Sequence, residues 1–208
     1  MEGKLVIPGE LVTDKRMRLG PHVFVENGKI YSDAVGLAKI DRGIARVVPL
    51  QGKYMPKAGD VVIGIVVSEE YSYYIIDINS FYYSFVPKEE IRIPLRKGTI
   101  VSAKIVKVDE INAATLSDIR VFRGGEVLTI SPVKVPRVIG KNASMLNLLK
   151  RGTGCSLMVG MNGRIWAKGG NIELLKKALA KIERESHLSN LTLRIQKMLE
   201  KEKQHTRR

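Results

Sequence analysis

Apolar and polar positions alternate in short runs through the first two blocks of the chain, and a period of three to four residues appears only in the last. Up to about Pro56, runs such as 23–31 and 44–50 are β-rich and broken by glycine, with Asn27-Gly28 placed as a hairpin turn. No helix-length pattern occurs there, so residues 1–57 are expected to form a small β module. Lys57-Ala-Gly-Asp60 marks a boundary. Five strand candidates follow, at 61–68, 72–79, 82–86, 100–108 and 113–119. Successive strand residues face opposite sides, so Tyr74, Ile76 and Ile78 share one face, and Tyr73, Ile75, Asp77 and Asn79 the other. The third strand repeats this, with Phe81, Tyr83 and Phe85 opposite Tyr82, Ser84 and Val86. From Gly124-Gly125 the pattern changes. A strand at 127–131 precedes two short helices joined by a turn at Gly140 to Ala143, then strands at 155–159 and 163–168. A helix opens after Asn171, whose side-chain oxygen can cap it, and carries Ile172, Leu175, Leu179 and Ile182 on one stripe. A last helix has Leu191, Ile195 and Met198 in register and leads into a charged tail ending Thr206-Arg207-Arg208, which is expected to fray.

Five short strands at this spacing suit a closed Greek-key barrel of the OB type over 58–124, of the ribosomal-protein kind. The β-α-α-β-β-α order of 125–208 is that of a type I KH domain with an extra C-terminal helix. The chain is therefore read as a multidomain α+β protein: β module, five-stranded OB barrel, KH domain. In a KH domain the turn between the paired helices clamps four nucleotides against backbone N–H groups, which requires small residues. Here that turn is Gly140, Lys141, Asn142 and Ala143, with Arg137, Lys150 and Arg151 as basic companions. Ala143 departs from the pattern. Its Cβ crowds an approaching backbone and disfavours positive φ, so a helix pair that merely packs is the competing reading.

Seven of the 12 aromatic residues fall between Tyr71 and Phe85. The second and third strands of an OB barrel form its usual nucleic-acid face, where exposed rings stack on bases. Tyr73, Phe81, Tyr82 and Tyr83 are the candidates for stacking, Tyr74 is assigned to the core, and rings filling the barrel are the alternative. Lys88, Arg92, Arg96, Lys107, Arg120 and Arg123 are the basic candidates beside them. The net charge of +14 favours a polyanionic partner bound in a salt-dependent way, the plainer reading being a solubilising surface. Residues 1–57 carry +4, 58–124 carry −1 and 125–208 carry +11, so the field belongs to the last third. A near-neutral barrel must rely on stacking and on neighbouring subunits.

Several chemistries find no support. The single cysteine, Cys155, excludes a disulfide framework or a multi-cysteine zinc site. No apolar run approaches a membrane span, and the N-terminus lacks the pattern of a signal peptide, so a cytoplasmic protein is expected. His22, His187 and His205 are scattered, and no P-loop, zinc-binding His-Glu-x-x-His, dinucleotide fingerprint or nucleophile elbow occurs. Glu69-Glu70, Glu89-Glu90 and Asp109-Glu110 read as solvated loops rather than a metal cage. No catalytic residue, metal or cofactor is expected.

The ordered combination resembles the archaeal exosome RNA-binding cap subunits that carry a KH domain. The likeness rests on Val6-Ile-Pro-Gly-Glu-Leu11, Asn27-Gly-Lys-Ile30, Pro56-Lys-Ala-Gly-Asp-Val-Val-Ile-Gly64, Tyr74-Ile-Ile-Asp-Ile78, and Val138-Ile-Gly-Lys141 with Ser144-Met145. It spans nearly the whole chain. Tyr74 falls where relatives often carry tryptophan, and Ala143 is the departure. The resemblance implies a noncatalytic subunit, three of which cap a hexameric ring of RNase PH-like subunits that degrades RNA 3′ to 5′ with phosphate. It implies that the N-terminal module holds the ring and that three barrels line the entry pore for single-stranded RNA. The sister cap with a zinc ribbon, polynucleotide phosphorylase with KH before OB, and a transcription factor with two KH repeats fit less well. A stand-alone RNA-binding factor in transcription or translation is the alternative function, and an enzyme with an unfamiliar site the third.

Overall fold

The computed structural model describes residues 4–49, 53–188 and 190–206. Residues 1–3, 50–52, 189 and 207–208 lie outside the described residues, among them Leu50 of the expected strand run 44–50 and Arg207-Arg208 of the tail expected to fray. Two compact units divide the chain, Met1–Gly52 and Lys53–Arg208.

The first unit is built of strands: β1 Lys4–Val6, β2 Leu11–Thr13, β3 Arg18–Leu19, β4 Val23–Glu26, β5 Lys29–Ser32, β6 Gly36–Asp41 and β7 Ile44–Pro49. They form two sheets, ordered β1-β6-β7-β3 and β2-β5-β4. Asn27 and Gly28 both take positive φ, 49° and 75°, which gives the tight β4–β5 hairpin the sequence signalled. Val6, Ile30, Ala45 and Val47 make its small core. Leu5, Ile7, Leu19, Val25 and Ile40 stay exposed.

The second unit opens on a closed barrel of β8 Val61–Glu69, β9 Tyr73–Asp77, β10 Ser84–Pro87, β11 Ile100–Val108 and β12 Ala114–Phe122. Neighbours run β10-β12-β11-β8-β9. The parallel pair β10–β12 closes it through Ser84↔Ala114 and Phe85↔Thr115, and the other pairs are antiparallel. Tyr74, Ile76 and Ile78 point inward with Val62, Val66, Val86, Val101, Ile105 and Leu116, as alternation requires. Tyr54 is buried against this barrel, bridges Ser80, and donates its hydroxyl to Asp60 at 2.6 Å. Burial and the Asp60 carboxylate push its phenol well above the ordinary tyrosine range. Tyr54 and Asp60 thus tie the Lys57–Asp60 segment into the barrel, and the two compact units divide after Gly52.

A three-stranded antiparallel sheet with helices follows: β13 Glu126–Thr129, α1 Val135–Ile139, α2 Ser144–Thr153, β14 Ser156–Val159, β15 Arg164–Lys168, α3 Ile172–Glu185 and α4 Leu191–Thr206. The strand order is β13-β15-β14. Asn171 caps α3, its Oδ1 accepting the Leu174 N–H at 2.9 Å. Leu149, Leu175, Ile182, Ile195 and Leu199 pack over Leu157, Ile165 and Ala167. Leu199, not Met198, completes the buried stripe of α4, and Met198 sits at its edge. Leu199 seats on α2 because position 152 is glycine: a Cβ there would lie 2.5 Å from Leu199 Cδ1.

The barrel and this domain are locked together. The β14–β15 turn inserts between β8 and the end of β9. Buried Asn162 accepts the Ile63 N–H at 3.1 Å and donates to the carbonyls of Ile63 (2.7 Å) and Ile78 (2.8 Å). Met161 N–H donates to Val61 O at 2.8 Å. Arg164 grips Asp77 through its carboxylate and its carbonyl, each at 2.5 Å. Burial works against the Asp77 carboxylate, but the Arg164 guanidinium and the Asn79 N–H outweigh it and hold its pKa below the usual range. Phe122 stacks on Trp166 at 4.3 Å, and the Trp166 indole donates to Gly124 O, which pins the connecting segment.

Candidate nucleic-acid interface

Alternation along β9 and β10 decides which rings are offered to solvent. Tyr74 is 3% exposed, and its hydroxyl accepts the Leu95 N–H at 3.4 Å, so it is core. Tyr73 faces out, 39% exposed, and meets Phe85 edge-on at 5.9 Å. The β9–β10 loop carries the most open pair, Phe81 (71%) and Tyr83 (77%), while Tyr82 between them is half-buried. Tyr71, in the β8–β9 turn, is wholly exposed. The Lys53 ammonium lies 4.3 Å from the Phe81 ring centre, a cation–π contact.

The basic candidates do not form one cluster. The pairings Ile75↔Phe85, Phe85↔Thr115 and Lys107↔Thr115 put Lys107 in one outward row with Phe85, two strands away from it, and Phe85 is the diagonal neighbour of Tyr73. Lys88 is half-buried, paired with Glu69 at 2.7 Å and lying over the Tyr74 ring. Arg92 and Arg96 are exposed on the β10–β11 connection. Arg120 and Arg123 lie towards the other end of β12, roughly 17 Å or more along the strand from Thr115, where Arg120 is 3.8 Å from Asp118 and the Arg123 carbonyl accepts from Lys168.

The turn between α1 and α2 runs through positive φ at three of its four positions, its alanine included. Gly140 takes φ 73°, ψ 172°, and a Cβ there would sit 2.8 Å from the Met145 nitrogen. Asn142 and Ala143 both occupy the left-handed region, at φ 50° and 58°. The Ala143 Cβ disfavours positive φ, and the residue adopts it under strain of about 1–2 kcal/mol. Lys141 and Asn142 are exposed, and Arg137 lies exposed in α1. Lys150 and Arg151 do not surround the turn. They belong to the last turn of α2, about 9–10 Å along the helix from its start.

Among the described residues no group of three or more His, Cys, Asp or Glu is arranged to hold a metal, and no helix is long and apolar enough to cross a membrane.

A family model described as the exosome RNA-binding protein Rrp4 N-terminal domain matches residues 3–51, and one described as a KH domain matches 125–173. The exosome complex component Rrp4 of Methanothermus fervidus is 39% identical over 213 residues, covering 95% of this chain and 96% of that protein. The chain belongs to the Rrp4 family of exosome components. Rrp4 of Methanobrevibacter smithii is also 39% identical, over 94% of this chain and 70% of its own, and Rrp4 of Thermococcus kodakarensis is 36% identical over 94% and 84%. A crystal structure described as an exosome complex RNA-binding protein matches with a TM-score of 0.67 and 32% identity, covering 74% of this chain and 99% of that one.

The Rrp4 N-terminal match coincides with the first compact unit, and the KH match runs from β13 into the first turn of α3. The sequence reading missed Asn162, Arg164 and Phe85. Asn162 in Gly160-Met-Asn-Gly163 looks like an ordinary turn residue, and nothing local announces its buried partners on β8 and β9. Phe85 could have been found, since it shares the outward face of Phe81 and Tyr83 by alternation.

Proposed function

We propose that this chain is a noncatalytic RNA-binding cap subunit of the exosome that receives single-stranded RNA and guides it into the pore of a hexameric 3′–5′ phosphorolytic ring. The observation that carries this reading is the pair of open rings, Phe81 and Tyr83, on a closed five-stranded barrel within a member of the Rrp4 family. Stacking serves any base, at about 1–3 kcal/mol each, which suits a guide that must pass every sequence. Tyr73, Tyr82, Lys88, Lys107, Arg92, Arg96, Arg120 and Arg123 act around these rings, and Arg137, the Gly140–Ala143 turn, Lys150 and Arg151 add contacts on the KH side.

The N-terminal module (residues 1–57 by sequence) docks on RNase PH-like ring subunits. Its exposed aliphatic residues Leu5, Ile7, Leu19, Val25 and Ile40 are the kind of surface such docking covers. Three caps per ring give three weak barrels one strand to share, so effective concentration supplies what each lacks. A near-neutral barrel also lets the strand slide. The assembly works in the cytoplasm, and no step of phosphorolysis belongs to this chain.

Size exclusion with purified RNase PH-like ring subunits tests the reading. Stoichiometric co-elution together with binding of labelled single-stranded RNA is expected. RNA binding with no ring association would instead make the chain a stand-alone factor. Turnover of RNA by the isolated chain with phosphate and Mg²⁺ would make it an enzyme.

A further inference from the structure

The positive charge of the last third is not concentrated at the clamp. Only Arg137 and Lys141 lie at the α1–α2 turn, whereas Lys177, Lys181 and Arg184 follow one another at helical spacing on α3, and Arg194, Lys197 and Lys201 on α4. The two helices pack through Leu175, Leu179, Ile182, Ile195 and Leu199, which brings these basic rows along either side of their seam. A groove of about 500 Å³ opens there, lined by Lys181, Arg194, Lys197, Met198, Lys201 and Glu202. Acidic residues temper it without reversing it. Glu185 is 3.8 Å from Lys181 and 3.1 Å from Arg194, and Glu202 is 3.6 Å from Lys177. Against Glu185 and Glu202 stand Lys177, Lys181, Arg194, Lys197 and Lys201, so the groove keeps an excess of positive charge. Glu185 also holds Lys181 and Arg194 in place, which lowers the entropy cost of presenting them to a ligand.

We propose that this α3–α4 groove is a second phosphate-binding track for single-stranded RNA, separate from the barrel rings and from the α1–α2 turn, which holds the backbone of long transcripts without reading bases. It rests on the RNA-binding reading above. The occupant follows from charge and chemistry. The groove offers ammonium and guanidinium donors on a floor containing Met198 and no aromatic ring among its lining residues, so it suits phosphates rather than stacked bases. Long RNA would gain from it by effective concentration, and short RNA held on the barrel would not.

The test uses the full chain and oligoadenylates of two lengths, one about as long as a single OB site covers and one several times longer. The variant K181Q/R194Q/K197Q is compared with K181R/R194K/K197R, which keeps the charge, and with F81A/Y83A on the barrel. The neutral variant should bind the long RNA about 5–20-fold more weakly, with its salt slope reduced by about 2, and bind the short RNA as the parent does. The charge-keeping variant should restore the long-RNA affinity, and F81A/Y83A should weaken both lengths. Unchanged long-RNA affinity and slope in a neutral variant that melts like the parent would overturn the proposal. So would equal loss in the charge-keeping variant, which would mark a packing role, or loss of an acidic exosome subunit on co-elution with RNA binding intact. If the parent binds neither RNA, the RNA-binding reading itself fails, and that outcome is distinct from all of these.

Discussion

Asn162 is the residue on which the joint between barrel and KH domain turns. Its side chain satisfies the Ile63 N–H and the Ile63 and Ile78 carbonyls, and each buried group left without a partner costs about 1–3 kcal/mol. N162A is expected to lower stability by about 3 kcal/mol or more in urea or thermal melts. A midpoint within experimental error of the parent would contradict that role. The neighbouring Asp77–Arg164 pair sets a pH dependence. A carboxylate whose folded pKa is depressed contributes stability that is present above its unfolded pKa and lost as pH falls through the folded value. Melting temperature should therefore decline on acidification below about pH 4, and D77N should flatten that part of the profile. Ala143 provides a third check. Ala to Gly normally destabilises by about 0.5–1 kcal/mol, but at φ 58° relief of strain offsets this. A143G should leave the midpoint unchanged or raise it, whereas A143V should lower it.

At the scale of elements, the rings divide into two classes with opposite signatures. F81A and Y83A remove side chains that are mostly in solvent, so stability should hardly move while affinity for single-stranded RNA falls by about 1–3 kcal/mol per stacked base. Y74A removes a buried ring and should do the reverse, costing about 3–5 kcal/mol of stability. Fluorescence anisotropy beside a urea titration reads both. The alternation that separates these classes was legible in the sequence because a two-residue period leaves little choice once one face is buried. The order of strands and helices was legible for the same reason, helped by Asn27-Gly28 and by the Asn171 cap. The helix ends were less so. Met198 and Leu199 both fit an apolar stripe, and only the fit of Leu199 over Gly152 selects between them. Lys150 and Arg151 look adjacent to the turn in sequence, yet the rise along α2 carries them away from it. What sequence could not supply was any contact between blocks, because residues such as Asn162 and Arg164 declare their partners only once β8 and β9 lie beside them.

For the whole molecule, the division of charge and apolar surface matches a division of labour. The first unit exposes aliphatic side chains, the barrel is close to neutral with open rings, and the KH block carries most of the positive field. On the proposed function, the charge of the KH block steers the transcript, the barrel rings stack weakly on it, and the N-terminal module attaches to the ring. Reversing charge at Arg92, Arg96 and Arg123 should slow the processing of a long tail by the assembled complex, with unchanged processing counting against a feeding role. The most direct measurement is the degradation of one long single-stranded RNA by the purified ring in phosphate, with and without this chain, beside F81A/Y83A. The chain alone should release no nucleotide, the wild-type chain should co-elute with the ring and accelerate degradation, and F81A/Y83A should co-elute equally while losing most of the acceleration. Equal rates with and without the chain, or nucleotide release by the chain alone, would contradict it.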